Sequence, residues 1–314
     1  MVSGPAPVVS VVVPCFNAAA TIDATLSSVV RQTLGGIEIV CVDDGSTDAT
    51  RAILEARAAT DARFRVVSQP NGGVAAARNA GVAASRGRYI AFLDADDLWE
   101  PTHVEAALRH FSERGNLGVS YCSARFIDTA GRETGRANPK LGPLTPQHLL
   151  SSNPTTTCST LVVRRDVFRD VGDFRTGMRH TEDQEWLFRV SLSGWAIAGR
   201  PDVNVSYRTS PGGLASDLEG MLAGFETMIA EARRLAPQLV ARNEAAARAR
   251  MNLFLARRAV RLKLPARIAR HYFIAAVKAY PRVLLAEPKS TMTTFGAALA
   301  PRLVHLVLDR TMRA

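Results

Sequence analysis

Four short apolar runs rich in β-branched residues, Val8–Val13, Ile37–Val42, Phe64–Val67 and Tyr89–Leu93, fall within the first third of the chain, and a helix-compatible stretch separates each pair. Runs of this length bounded by turn residues read as fully buried strands. Between the first two, Ile22, Leu26, Val29 and Val30 recur every three to four positions, which predicts a helix from about Ala19 to Gln32. Pro14 is expected to stop the first strand. Ser46 is expected to cap the second helix, with Asp48 in its first turn, running to about Ala59. Pro70-Asn71-Gly72-Gly73 makes a turn, and the alanine-rich Val74–Ser85 is a third helix. Strand and helix alternating at this rhythm leave few topologies. The expectation is an α/β fold, a Rossmann-like, mostly parallel sheet flanked by helices on both faces. Ligands gather at the carboxyl ends of such strands, so the turns after Val13, Val42 and Leu93 share one edge.

That edge is acidic. Tyr89–Leu93 closes on Asp94-Ala95-Asp96-Asp97, three carboxylates separated by one small residue. Carboxylates held so close repel in a partly buried site and are relieved by sharing a hard divalent cation such as Mg2+ or Mn2+, which keeps open positions for substrate phosphates. A solvated, Asp-rich turn is the plain alternative. After the first strand comes Pro14-Cys15-Phe16-Asn17, whose Phe16 is either a core residue or a stacking surface for a base. Asp43-Asp44-Gly45-Ser46-Thr47-Asp48 follows the second strand. Asp44 is placed to accept hydrogen bonds from a pyrimidine N–H or a ribose hydroxyl, although Asp and Gly are also ordinary turn formers. Farther on, Thr181-Glu182-Asp183-Gln184-Glu185-Trp186 opens a helix. Acids there suit the helix dipole, and one of them is a candidate general base toward an incoming hydroxyl. His180, three residues before Asp183, reads as a solvated loop histidine, with metal ligation the alternative. Trp186 and Trp195 read as core.

Composition narrows the classes. With 314 residues, 47% hydrophobic and 22% charged, this is an ordinary globular chain able to bury a sizeable core. Cys15, Cys41, Cys122 and Cys158 show no paired spacing, which points to reduced thiols rather than disulfides or a zinc site. No apolar run approaches the roughly 18 residues of a membrane span, and Val8–Val13 is too short for a signal-peptide core. The expected setting is the cytoplasm. Residues 1–216 carry equal numbers of acidic and basic side chains, so the whole net charge of +10 lies in the last third. A neutral front argues against nucleic acid at the main site.

Beyond Trp99 the pattern is mixed. A helix near His103–Arg114, a strand over Val119–Ile127, a loop over Asp128–Pro146, a strand at Leu161–Val163, helices at Arg165–Val171 and Glu182–Ser193, and a last strand at Val203–Tyr207 are expected. From Ser216 onward the chain reads as helix, in segments Ser216–Leu235, Pro237–Leu264, Pro265–Tyr280 and Thr291–Asp309. Arg242, Arg248, Arg250, Arg257, Arg258, Arg261 and Lys263 stripe the second of these. A solvated basic face, an anionic membrane surface at the inner leaflet and a protein partner are its three readings. The resulting domain plan is a small leader at 1–7, an α/β domain at 8–215 and a basic helical region at 216–314.

Taken together, Val11-Val12-Val13-Pro14-Cys15-Phe16-Asn17, Val42-Asp43-Asp44-Gly45-Ser46-Thr47-Asp48, Ala77-Arg78-Asn79-Ala80-Gly81, Phe92-Leu93-Asp94-Ala95-Asp96-Asp97, and Thr181-Glu182-Asp183 with Trp186 and Arg189 resemble the family 2 glycosyltransferases, inverting enzymes of the GT-A fold, over roughly residues 8–210. The resemblance implies a nucleotide-diphosphate sugar as donor, UDP-linked in the first instance, and a hydroxyl on a saccharide or lipid-linked molecule as acceptor. It implies that Pro14, Phe16 and Asp44 form the base site, that Asp94 serves the ribose side and that Arg78 contacts the nucleotide. It also implies that Asp96 ligates a Mn2+ or Mg2+ ion bridging the phosphates and that Asp183 is the catalytic base. Phe16 stands where a tyrosine is common, which keeps stacking and removes a hydroxyl. Two other classes remain open. A nucleotidyltransferase-like enzyme would favour a basic, glycine-rich phosphate loop, and Pro14–Ala20 has neither Gly nor Lys. A non-catalytic nucleotide-sugar-binding protein of the same fold would have no need of Asp96 and Asp183.

Overall fold

The computed structural model describes residues 6–137, 140–209 and 216–286, with positions 291, 294 and 296. The chain divides into two compact units, one of residues 1–146 with 153–210 and one of 147–152 with 211–314.

The first unit is built on one sheet. Its strands are β1 (Val9–Cys15), β2 (Ile37–Asp43), β3 (Phe64–Ser68), β4 (Tyr89–Phe92), β5 (Leu98–Trp99), β6 (Leu117–Ile127), β7 (Glu133–Arg136), β8 (Val162–Arg164) and β9 (Ala196–Arg208). They run in the order β3-β2-β1-β4-β8-β6-β9-β5, with β7 paired to β6 outside that path. The helices of this unit are α1 (Ile22–Val30), α2 (Thr50–Thr60), α3 (Val74–Ala84), α4 (His103–Glu113), α6 (Arg165–Val171) and α7 (Glu182–Leu192), with α5 (Pro146–Ser151) at the division between the units. Strands β1 to β4 are mutually parallel, as the β-branched runs require. Past β4 the sheet becomes mixed: β8 pairs antiparallel with β4 and with β6, while β6 and β9 are parallel.

Both faces of the parallel half are covered, so its strands show no polar alternation. Val9, Val11, Val13, Ile39 and Cys41 join one core with Ile22 and Leu26 of α1, Leu54 of α2 and Phe111 of α4. Val40 and Val42 face the other way, onto Ala77 of α3. Each buried Val or Leu contributes about 1.5–3 kcal/mol. Helix α3 lies so close to β1 that a Cβ on Gly81 would come 2.3 Å from Val12 Cγ1, a contact no side chain tolerates.

Several local expectations are corrected. Pro14 lies inside β1 rather than stopping it. Its ladder with β4 ends at Val12–Phe92, and the carbonyls of Val12 and Cys15 face β4 and β2 in turn, so the nitrogen that lacks hydrogen points where no acceptor waits. Ser46 does not cap α2. The N-cap residue of that helix is Ala49; Asp48, one position earlier and outside the helix, accepts from Thr50 N at 2.9 Å and ties the loop at Ala19 N at 3.0 Å. The stretch expected as a loop over Asp128–Pro146 turns back through β7, because the Asp128 carboxylate accepts from Ala130 N and Arg132 N and closes a tight turn. Strand β9 begins at Ala196, seven residues before its expected start.

All four cysteines are buried and free. In the second unit, α8 (Leu218–Leu235), α9 (Pro237–Arg261), α10 (Ala266–Ala279) and α11 (Val283–Ala286) bury Leu253, Ala256, Ala269, Tyr272 and Phe273 in a separate core. Asp217 caps α8 by accepting from Gly220 N at 2.8 Å. The helix expected over Thr291–Asp309 lies almost wholly outside the described residues. No helix among the described residues is long and apolar enough to cross a membrane.

Candidate active site

The loops after β1 and β2 are laced into one surface. Asp44 N donates to Cys15 O at 2.8 Å, Asn17 N to Ser46 Oγ at 3.1 Å, and Thr47 N to Asn17 Oδ1 at 2.8 Å. Asn17 holds φ of 49°, and Phe16 beside it is 51% exposed, so its ring is a surface feature and not core. Gly45 has φ of 74° and packs on Asn71 N, where a Cβ would sit at 2.9 Å; both observations demand glycine. Asp44 is buried. Its Oδ1 accepts from Gln69 Nε2 at 2.7 Å and Gly72 N at 2.9 Å, and its Oδ2 from Gly73 N at 2.9 Å. The carboxylate thus fastens the turn that starts α3 and retains one free lone pair on Oδ2.

Arg78, five residues into α3, is 4% exposed, so it is buried rather than on the helix surface. Its Nη2 donates to Asp94 Oδ1 and its Nη1 to Glu182 Oε1, each at 2.7 Å. One guanidinium therefore joins the end of β4 to the first turn of α7. Residues 153–159 complete the wall. Thr157 Oγ1 donates to Asp94 Oδ2 at 3.1 Å, Ser159 Oγ to Asp97 Oδ2 at 2.6 Å, and Asn153 Nδ2 to Asp183 Oδ2 at 2.7 Å.

The three acids after β4 are unlike one another. Asp97 is fully buried and accepts from Ser159 and from Arg208 N at 2.9 Å, so it is a structural anchor. Burial and the charges of Asp96 and Asp94 push its carboxyl well above the ordinary range. Asp94 is held by Arg78 and Thr157. Asp96 has no side-chain hydrogen bond from another described residue. Burial and Asp94 push it up to about 6. A half-buried, unpartnered oxygen ligand beside a second carboxylate is the donor set a hard cation takes. Among the described residues no group of three or more His, Cys, Asp and Glu is placed to hold a metal by itself.

The three acids opening α7 are equally distinct. Glu182 is taken by Arg78. Glu185 pairs with Arg189 at 2.9 Å, and Arg189 also donates to the carbonyls of Val171 and Asp173. Asp183 alone has no cationic partner in contact: Asn153 Nδ2 and, at 2.7 Å, Gln184 N are its donors. Burial, then Glu182, push its carboxyl up to about 6, opposed by Arg78 and these two bonds. Such a group exchanges a proton near neutral pH. Thr181, just before the helix, sits in the left-handed region at φ of 62°. His180, expected in a solvated loop, is buried. Trp186 is core, stacked on Phe168 at 4.7 Å, whereas Trp195 is only half-buried and donates to Asp170.

Arg78 contacts Asp94 directly and reaches α7 through Glu182, the neighbour of Asp183, while Asp96 follows Asp94 by two residues; Phe16 and Asp44 lie on the neighbouring strand ends. Pro14 contributes no contact of its own; it shapes the end of β1. Asn153, Thr157, Ser159 and Arg208 carry no sequence signal that separates them from ordinary loop and strand residues.

A sheet of this order with acids on its carboxyl edge defines the GT-A class of fold. The S. aureus protein TarS 1-349 in complex with UDP-GlcNAc shares it, with a TM-score of 0.61 and 18% identity over 90% of this chain and 91% of that one. So does the mannosyltransferase PcManGT from Pyrobaculum calidifontis in complex with GDP-Man and Mn2+, with a TM-score of 0.63 and 19% identity over 98% of this chain and 85% of that one. The chain belongs to glycosyl transferase family 2, whose model matches residues 10–172. A chondroitin synthase of Pasteurella multocida is 37% identical over 125 residues, 40% of this chain and 13% of that protein. The chain spans 13 to 36% of the length of four curated bacterial relatives.

Proposed function

We propose that this chain is an inverting glycosyltransferase that moves a sugar from a UDP-linked or related nucleotide-diphosphate donor to a hydroxyl acceptor, in the synthesis of a cell-surface polysaccharide or glycolipid. The observation that carries the reading is the sorting of acids at the start of α7. Two are locked in ion pairs, and Asp183 alone is left without a contacting cation, next to the Glu182–Arg78–Asp94 bridge. The nucleotides named with TarS and PcManGT, and the polymer made by the chondroitin synthase relative, support the donor and product classes.

In this reading Phe16 stacks on the base and Asp44 accepts one hydrogen bond from it through its remaining lone pair. Asp94 and Arg78 line the ribose and diphosphate side. Asp96 would hold a Mn2+ or Mg2+ ion, which when bound supplies Lewis-acid neutralisation of the leaving diphosphate. Asp183 takes the acceptor proton as the hydroxyl attacks the anomeric carbon, and the single displacement inverts that centre with no enzyme nucleophile. General-base assistance of this kind contributes about 10²–10⁴ in rate. The helices of the second unit offer contact with an anionic membrane at its cytoplasmic face, where lipid-linked acceptors reside. The test is nucleotide release from a panel of UDP-, GDP- and TDP-sugars, with and without Mn2+. Asp183→Asn abolishes turnover while calorimetric donor affinity persists; equal loss of both refutes the base role. Release of pyrophosphate instead would favour a nucleotidyltransferase, and binding without turnover by the unmodified chain a non-catalytic protein.

A further inference from the structure

The segment from Asn153 to Ser159 touches two acids of the site that Arg78 does not reach, and one that it does. It donates to Asp183 from Asn153, to Asp94 from Thr157 and to Asp97 from Ser159. Ser159 Oγ also accepts from Asp94 N at 3.0 Å, and Trp99 Nε1 donates to Ser159 O at 2.8 Å, which pins the far end of the segment to the sheet. At the near end, Asn153 Oδ1 accepts from Thr155 N at 3.1 Å and Thr155 Oγ1 at 2.7 Å. With its oxygen engaged twice, the amide cannot flip, and its nitrogen is directed at Asp183.

We infer that Asn153 is a positioning residue for Asp183, and that residues 153–159 form one strap holding the base and the acids at the end of β4 in a common register. This inference rests on the reading of Asp183 as the base. The chemistry is that of a neutral donor. Asn153 is the only side-chain donor to Asp183 among the described residues. An arginine in its place would hold the carboxylate ionised but too weakly basic to take a proton. An amide stabilises the ionised form only modestly and fixes which oxygen faces the acceptor. The other groups that bear on Asp183 are Glu182, Arg78 and Cys158, and none of them donates to it.

The test is Asn153→Asp in the full chain. This change keeps the oxygen that Thr155 uses and replaces only the donor, so the strap retains its own bonds. Protein carrying 13C at the Asp side-chain carboxyls is titrated by NMR without donor, and the Asp183 resonance is identified by its loss in Asp183→Asn. In the unmodified chain it titrates near 6. In Asn153→Asp it moves upward by about one pH unit or more, because a donor to the ionised form has become a like charge. The acid limb of kcat/KM for UDP-sugar turnover moves with it, while turnover above that limb recovers. An unmoved Asp183 titration overturns the inference. A fall in turnover at every pH with no movement of the limb does the same, since a merely structural role produces that pattern. Retained turnover in Asp183→Asn would sink the base reading instead. If Asn153→Asp does not fold, Asn153→Ser, which keeps a donor, is expected to leave the titration within about half a unit of the original, and a larger rise there also counts against the proposal.

Discussion

Asp183 and Asp44 are both carboxylates at loop ends, and their surroundings give them opposite capacities. Asp44 is spent on the turn that starts α3, with three donors already bound and one lone pair left, so whatever meets it makes a single hydrogen bond. Replacing it with Asn turns one of its oxygens into an NH₂ group facing the N–H of Gly73 or the amide of Gln69. We expect Asp44→Asn to weaken donor binding about tenfold or more and to lower Tm by several degrees, as read by calorimetry and thermal unfolding. Asp183 is held in reserve. Its folded value of about 6 lies above the ordinary 3.8, so the native state binds its proton more tightly than the unfolded chain. The sign follows: the group costs nothing below about pH 4, its cost grows as pH rises through the window from 4 to 6, and it is constant above. Asp183→Asn removes that cost. The Tm of the variant relative to the unmodified protein should therefore rise from pH 4.5 to pH 7.5 even though turnover is abolished, and a difference that stays flat would show that Asp183 is not the strained acid. The position of Asp44 was legible from an Asp-rich turn at a strand end, and that of Asp183 from a cluster of acids opening a helix. Which acid is free was not, because it depends on Arg78 and Arg189 reaching across from distant parts of the chain, contacts that no local pattern encodes.

At the scale of elements, α3 is the member on which the site is hung. Asp44 fastens its first turn, Gly81 lets it settle against Val12, and Arg78 projects from it to two other elements. Gly81→Ala places a methyl 2.3 Å from Val12 Cγ1, and an overpacked contact of this sort costs about 1–3 kcal/mol and shifts the helix. Arg78→Met leaves Asp94 and the buried Glu182 without their cation, at a cost of about 3–5 kcal/mol in urea unfolding. The same change should reduce donor affinity. A cycle with Glu182→Gln separates these effects: coupling between the two positions is expected to exceed about 1 kcal/mol, and additivity would mean the bridge holds nothing. The parallel half of the sheet could be read from β-branched runs because those strands are buried on both faces. The mixed half could not. Strands β8 and β9 carry arginines, a proline and glycine, and β7 is a four-residue edge made by a side-chain turn at Asp128, so their pairing is decided by tertiary packing rather than by propensity. The strap over 153–159 looks like a polar loop for the same reason: its hydroxyls and amide acquire meaning only from the acids they meet.

For the molecule as a whole, charge separates the two units as sharply as packing does. Between Ala245 and Ala286 there are ten Lys and Arg and not one Asp or Glu. On α10, Arg267, Arg270, His271, Ile274 and Lys278 are exposed along one stripe, opposite the buried Ala269, Tyr272, Phe273 and Ala276. An apolar residue set among cations favours a lipid surface, since a purely polyanionic partner needs only the charges. Each cation near an anionic bilayer is worth about 1 kcal/mol. The chain should sediment with vesicles containing phosphatidylglycerol at 0.1 M salt and not with neutral ones. Arg267→Glu with Arg270→Glu and Lys278→Glu should weaken that binding by roughly a hundredfold or more. Equal recovery with both vesicle types would dismiss the membrane reading.

Arg208 closes β9, and it is also the residue whose backbone N–H reaches Asp97 and whose Nε donates to the carbonyl of Asp96 at 2.9 Å. Thr209 N then ties back to Ile127 O at 2.8 Å. The last residues of the first unit are thus tethers on the loop that begins with Asp94, more than a hundred positions upstream. A fragment designed to isolate the α/β unit has its C-terminal limit set by this pair. Ending before Arg208 would free the acidic loop from the strand that restrains it, while leaving every other acid and its arginine in place.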